Sequence, residues 1–530
     1  MNNLKVIRFS IVMLICSITL VACGVGANNV NEVVTTPGQD SVLETEVISG
    51  GEAIWLSNSA PPTLDPHVAT DVISRNAMRQ MYETLMTLDD NNDIVFQLAQ
   101  SYTLLDENTW EFNLRQGVIF HDGTPFNSYA VAINFERLLD PANAFPRANF
   151  LEMVSSVEII DEYTVHFITD EPFMPLPAQL SNYTALIISP SAIHEQNEGG
   201  RLVTENPIGT GPFKLYNHEP GNYIRFVRFD DHWYHTPILD SLLFRIIPDA
   251  STRIALLESG EAHGMIAMLS DVAVFETMPN IDVQSVLSTR IEYLGFNTNV
   301  QPFDDIRVRR AITKAVNLED ILYGVADGQG VLAVGPIAPN VTHSAPDVPT
   351  IPFDPDLARE ILQELDLYRN LETEIWFYDG NSVMARTAEL VQSNLLDVGI
   401  TVSLHSMERG AYLEATAAGE KPMFFLGWTG GTGDPDIQVS TLFDSVNFGI
   451  GGNRFFYYNT RVDELINQGR ITADFDERSA IYREITEILV YEAPVIFLYH
   501  PMTPIATTGI TGLRTDFTFT PYFYNVSLIN

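Results

Sequence analysis

The sequence predicts a multidomain α/β protein. Three observations predict it. The chain has 530 residues, too many for one hydrophobic core, and about 150 residues per domain suggests two or three. Its last third alternates apolar strand-like runs with amphipathic helical stretches, the mark of an α/β domain. An apolar run, Met423 to Leu426, leads into Gly427-Trp428-Thr429-Gly430-Gly431-Thr432-Gly433-Asp434-Pro435-Asp436. A buried strand ending in glycines, one indole and two carboxylates is suited to close backbone approach to a ligand, or to a turn whose Trp fills the core.

Composition narrows the function classes. Hydrophobic residues make up 45%, the level of a folded globular protein. The net charge of −39 argues against a nucleic-acid surface. Lysine occurs only at positions 5, 214, 314 and 421, so arginine carries most of the positive charge.

Residues 1–22 read as an export signal. Lys5 and Arg8 supply the basic start, and Ile11 to Leu20 is apolar but short for a bilayer span. Leu20-Val21-Ala22-Cys23 resembles the bacterial lipobox, which implies lipidation at Cys23. Cys16 and Cys23 are the only cysteines. With Cys16 cleaved away and Cys23 lipidated, no disulfide, Cys nucleophile or Cys-based metal site is expected. Residues 23–47 read as a flexible tether spanning roughly 25–30 Å.

The body begins with a strand at Glu52–Leu56, followed by a helix over Val72 to Leu88, where Met78, Met81, Tyr82 and Leu85 share a face. Strands are expected at Trp110–Leu114, Thr164–Ile168, Ile224–Phe229, Leu242–Ile247, Glu292–Asn297, Ile400–Leu404 and Val495–Tyr499. Helices are expected at Asn127–Leu139, after the caps Asp249 and Asp354, around Met384–Leu395 and over Arg478–Tyr491.

Several ordered segments carry a resemblance. They are Phe120-His121-Asp122-Gly123-Thr124-Pro125-Phe126, Asn206-Pro207-Ile208-Gly209-Thr210-Gly211-Pro212-Phe213, Ile247-Pro248-Asp249, Val308-Arg309-Arg310-Ala311-Ile312 and the Trp428 to Asp436 stretch. Together, over about residues 50–525, they resemble the extracytoplasmic solute-binding proteins of family 5. These deliver dipeptides, oligopeptides, glutathione or nickel chelates to ABC importers. The resemblance implies a two-lobed, class II periplasmic-binding-protein-like clamp. Lobe 1 would span 48–295, with an inserted subdomain at about 90–208. Lobe 2 would span 296–505, and 506–530 would return to lobe 1, with hinge crossings near Asn297 and Pro501.

The resemblance also implies ligand contacts. In the peptide binders an Asp three residues after the cleft Trp pairs with the peptide amino group. Here that position is Gly431, which leaves Asp434 or Asp436 to substitute. The Thr-Gly-Asp that follows, Asp140-Pro141-Ala142-Asn143 and Phe455-Phe456-Tyr457-Tyr458-Asn459 look closer to the glutathione-binding branch. Arg147 stands where the nickel-chelate binder offers an Arg to carboxylates, and a guanidinium grips a carboxylate with two bonds. The candidate ligand residues are thus Arg147, Arg409, Trp428, Thr429, Gly430, Gly431, Thr432 and Asp434, with Arg386 weaker.

A monomer without cofactor is expected, anchored to the outer membrane face by lipid. Its partners would be a short peptide or glutathione-like ligand and the permease and ATPase subunits. A metal-chelate binder is the main alternative, with His405 and His500 as the second-lobe histidines. A secreted hydrolase lacks support, since there is no Gly-x-Ser-x-Gly elbow and no zincin pattern around His232-Trp233-Tyr234-His235. A signalling lipoprotein sharing the fold is a further alternative.

Overall fold

The computed structural model describes residues 47–89, 91–268 and 271–529. The signal segment, Cys23 and almost all of the tether lie outside the described residues. Among the described residues no helix is long and apolar enough to cross a membrane.

One strand, Val495–Thr507, organises the body. Its C-terminal half borders the first sheet, antiparallel to Gly264–Ile266 and to Asp282–Leu287. That sheet continues through Glu52–Ser57 and Ser241–Ile246, paired in parallel, to Tyr223–Arg228 and Phe213–Glu219. The N-terminal half of the same strand pairs with Arg290–Phe296 in the second sheet. Beyond lie Met423–Thr429, Glu372–Tyr378 and Thr401–Met407. Parallel neighbours joined by helices give this half the expected α/β character.

The two sheets have separate cores. Trp55, Phe226 and Phe244 pack beneath the first sheet. The second sheet is apolar on both faces, as a helix-covered sheet must be. Alternation divides the strand residues: Leu294 and Phe425 face one core, Tyr293 and Phe424 the other. A third core belongs to a four-stranded antiparallel sheet formed by Ala99–Leu104, Thr109–Leu114, Thr164–Thr169 and Val154–Asp161. The helix Ser128–Leu139 covers it, burying Phe135 against Phe167 with ring centroids 4.8 Å apart. Asn127 caps this helix by accepting from the Ala130 N–H.

The chain passes from the first sheet to the second at Ser288–Thr289, since Asp282–Leu287 pairs in the first and Arg290–Phe296 pairs residue by residue with Met423–Thr429 in the second. Ser288 and Thr289 are fully buried, and the Ser288 N–H donates to the Pro501 carbonyl at 3.0 Å. The helix expected over Val72–Leu88 ends at Met78, and Met86–Leu88 is a strand. Gly209-Thr210-Gly211 causes this. The Gly211 N–H donates to the Met81 carbonyl and the Phe213 N–H to the Gln80 carbonyl. Side-chain atoms on Gly209 or Gly211 would collide with the Met81 backbone. The carbonyls of residues 80 and 81 thus find their partners outside the helix.

Candidate ligand cleft

A cavity of about 580 Å³ opens between the strand Met423–Thr429 and the segment 146–153. The strand Met423–Thr429 forms its floor, presenting Leu426, Gly427 and Trp428, and the adjacent strand adds Arg290 and Tyr293. Pro146 to Met153, Phe173 and Gln179 face them from the subdomain. The wall beyond comes from the helix Asp436–Phe443 and the loop through Gly451 and Gly452.

Five arginines line this space: Arg147, Arg290, Arg409, Arg454 and Arg470. In a chain of net charge −39 this local reversal of sign is the main electrostatic feature of the cleft. Arg290 pairs with Glu292 on its own strand. Arg470 Nε donates to Asp436 Oδ1 at 2.8 Å. The other three have no carboxylate partner among the described residues. Arg147 donates to the Thr70 carbonyl at 2.9 Å and lies 5.2 Å from the Tyr183 ring centre. Arg454 donates to Thr416 Oγ1 at 2.8 Å, and burial lowers its pKa. Arg409 stands exposed, 5.9 Å from the Tyr378 ring centre.

Three cavity-lining side chains also hold buried polar atoms without a partner: Arg147 Nε, Trp428 Nε1 and Gln179 Oε1. Buried donors and acceptors are nearly always satisfied. A ligand carrying both acceptors and donors would satisfy these.

Of the sequence candidates, Arg147, Arg409 and Trp428 line the cavity; Thr429, Gly430, Gly431, Thr432 and Asp434 are not among its lining residues. Asp434 is spent elsewhere, bonded to Arg478 at 2.5 and 2.9 Å with both side chains buried. Arg478 is held charged by that carboxylate, against the effect of burial. The Gly430 carbonyl accepts from Thr289 at 2.6 Å, so it closes the crossing rather than facing a ligand. Thr432 is 1% exposed. A Cβ at Gly431 would stand 2.6 Å from Asn182 Nδ2, so this glycine permits close packing against the segment that carries Asn182.

Arg386 donates to the Val325 carbonyl outside the cleft. His405 stacks on Trp376, and His500 is buried with Nδ1 2.9 Å from the Arg290 carbonyl; neither lines the cavity. Burial lowers the His500 pKa to about 4. Among the described residues no group of three or more His, Cys, Asp or Glu is placed to hold a metal ion.

Sequence reasoning missed Arg290, Arg454 and Arg470 as cleft residues. The available signal was scarcity of positive charge: Arg454 directly follows Gly451-Gly452-Asn453. Asp436, the other carboxylate considered, does line the cleft. Burial raises its pKa to about 6, although Arg470 pulls the other way.

Comparison with known proteins agrees with this architecture. Residues 93–449 match the model for bacterial extracellular solute-binding proteins, family 5 middle. A glutathione-binding protein, GsiB, of Shigella dysenteriae is 31% identical over 443 residues, covering 82% of this chain and 86% of its own. The structure of HbpA2 from Haemophilus parasuis superposes with a TM-score of 0.84 at 26% identity, covering 90% of this chain and all of that one. A Helicobacter pylori DppA in complex with the peptide STSA superposes with a TM-score of 0.77 at 27% identity, over 91% and 99%. The chain belongs to the bacterial extracellular solute-binding proteins of family 5, non-enzymatic components of solute transport.

Proposed function

We propose that the protein captures a short, carboxylate-bearing peptide of the glutathione kind between its lobes and delivers it to an ABC permease. The observation that carries this reading is the cluster of five arginines in the cleft of an otherwise acidic protein. Three of them line the cavity without a carboxylate partner among the described residues, and guanidinium–carboxylate pairing is both strong and directional. The similarity to a glutathione-binding protein supports the same ligand class. With Asp434 committed to Arg478 and Asp436 to Arg470, an incoming amino group has Glu152 as the cleft carboxylate. A metal chelate is less well served, since His405 and His500 both lie outside the cavity lining.

The lobes would be 48–287 and 290–499, joined through Ser288–Thr289 and the Pro501 region, with the tail returning to lobe 1. Lipidation of Cys23 would hold the body near the outer membrane face, where the permease can receive it. Replacing Cys23 with Ser should release the mature chain from the membrane fraction.

The test is titration calorimetry on unfolded and refolded protein, with glutathione, a short-peptide mixture and a nickel–histidine chelate. Micromolar or tighter glutathione binding, weakened by Arg147→Ala and Arg409→Ala, is expected. Binding of the chelate alone would overturn the peptide reading.

A further inference from the structure

A second cavity, of about 480 Å³, lies within the first lobe, away from the cleft. Its walls come from residues 79–83, from His232-Trp233-Tyr234 and from the C-terminal tail, Gly512 to Asn525. None of these belongs to the second lobe, so lobe closure does not create or abolish it.

We propose that this cavity is a separate ligand site for a flat aromatic ring bearing a carboxylate or similar anionic group. The rings come first. Phe96, Trp233, Tyr234, Tyr522 and Tyr524 all line it. Tyr234 stacks on Tyr524 at 5.7 Å, while Phe96 and Tyr234 are 40% and 67% exposed. Such surfaces favour planar apolar ligands through offset stacking.

Charge gives the second half. Arg79 and Arg115 line the cavity and form no ion pair among the described residues. Arg115 lies 4.6 Å from the Trp233 ring centre, and its Nε donates to the Gln97 carbonyl. Arg79 donates to Thr84 Oγ1 at 3.1 Å and to the Ser181 carbonyl at 2.5 Å, and its buried Nε has no partner. Two guanidiniums without a carboxylate partner among the described residues, in a chain with 68 acids against 29 bases, select an anion.

The one lining carboxylate, Glu83, is already engaged. It is 4% exposed and accepts from Trp233 Nε1 and Thr210 Oγ1 at 2.8 Å each. His232 Nε2 lies 3.2 Å away, and Gln97 donates at 3.3 Å. Glu83 therefore fixes the Trp233 wall and offers little to a ligand amine.

The test uses the full mature protein, with indole-3-acetate and benzoate as probes in calorimetry and saturation-transfer NMR. Indole and acetate serve as the ring-only and charge-only controls. Indole-3-acetate should bind equally well with and without saturating glutathione. Arg115→Gln should weaken it about tenfold, the loss of one charge-assisted contact, and leave glutathione binding unchanged. Tyr234→Ala, at an exposed side chain, should also weaken it. The proposal is overturned if neither probe binds at about 1 mM, if indole or acetate binds equally well, if glutathione displaces the probe, or if Arg115→Gln has no effect. Glutathione binding is read in its own arm, so failure of the cleft reading is distinguishable from failure of this one.

Discussion

At the residue scale, buried pairs and cleft charges serve different ends. Asp434 and Arg478 are a buried pair, and breaking such a pair from one side leaves an uncompensated charge. Asp434→Ala should lower unfolding stability by about 3–5 kcal/mol in a denaturant titration. The folded fraction should keep its glutathione affinity. Arg147→Ala should do the reverse, since among the described residues its guanidinium has no carboxylate partner and donates to the Thr70 carbonyl. A variant at 434 that loses affinity without losing stability would return Asp434 to the ligand site. Asp436 supplies the pH dependence. Burial holds its pKa at about 6, above the ordinary value of 3.8. The folded state therefore keeps a proton that the unfolded chain gives up at lower pH. The stability from this group is fully present below about pH 4 and is lost as pH rises through about 6. Protonation also removes one negative charge from the cleft. Affinity for an anionic ligand should thus rise several-fold from pH 7.5 to pH 5, and Asp436→Asn should flatten that profile in calorimetry.

At the scale of elements, the floor strand Met423–Thr429 works through a missing side chain. Gly427 lies opposite Glu292 in the ladder. A Cβ there would overlap both the Arg290 guanidinium and the Glu292 carboxylate. The glycine is needed for close approach, since the strand conformation itself is open to any residue. Gly427→Ala should displace the pair into the cleft and weaken ligand binding about tenfold, an interaction loss near 1.4 kcal/mol. The melting temperature should move little, because the ladder hydrogen bonds survive. A large loss of stability with intact affinity would show that the pair serves the sheet instead.

At the scale of the molecule, segments far apart in the chain meet across the cleft. The Met174 N–H donates to the Arg470 carbonyl at 2.7 Å. Gly431 faces Asn182 across the same gap. In the proposed clamp, ligand contacts to both sides favour closure. Gly431→Asp places a side chain where Asn182 Nδ2 stands, so the lobes should stay apart. Small-angle scattering should show a ligand-induced decrease in radius of gyration for the parent protein and a smaller one for the variant. A variant that closes fully and gains affinity for unmodified peptides would show that Asn182 yields and that the carboxylate captures an amino group.

The α/β class, most strands and helices, and a glycine-rich segment beside Trp428 are legible in the chain itself. These rest on local signals: alternation, helical spacing, and caps such as Asn127, Asp249 and Asp354, each of which accepts from a first-turn N–H. Three things were decided only by tertiary structure. Met81 leaves its helical pattern because a turn 130 residues later supplies its hydrogen-bond partner. Asp434 became structural because Arg478, on the helix Phe475–Glu492, reaches it first. The cleft gathers Arg147, Arg290, Arg409, Arg454 and Arg470 from across more than half the chain. No local pattern records such convergence, because strand pairing and lobe packing bring these charges together, and sequence spacing does not.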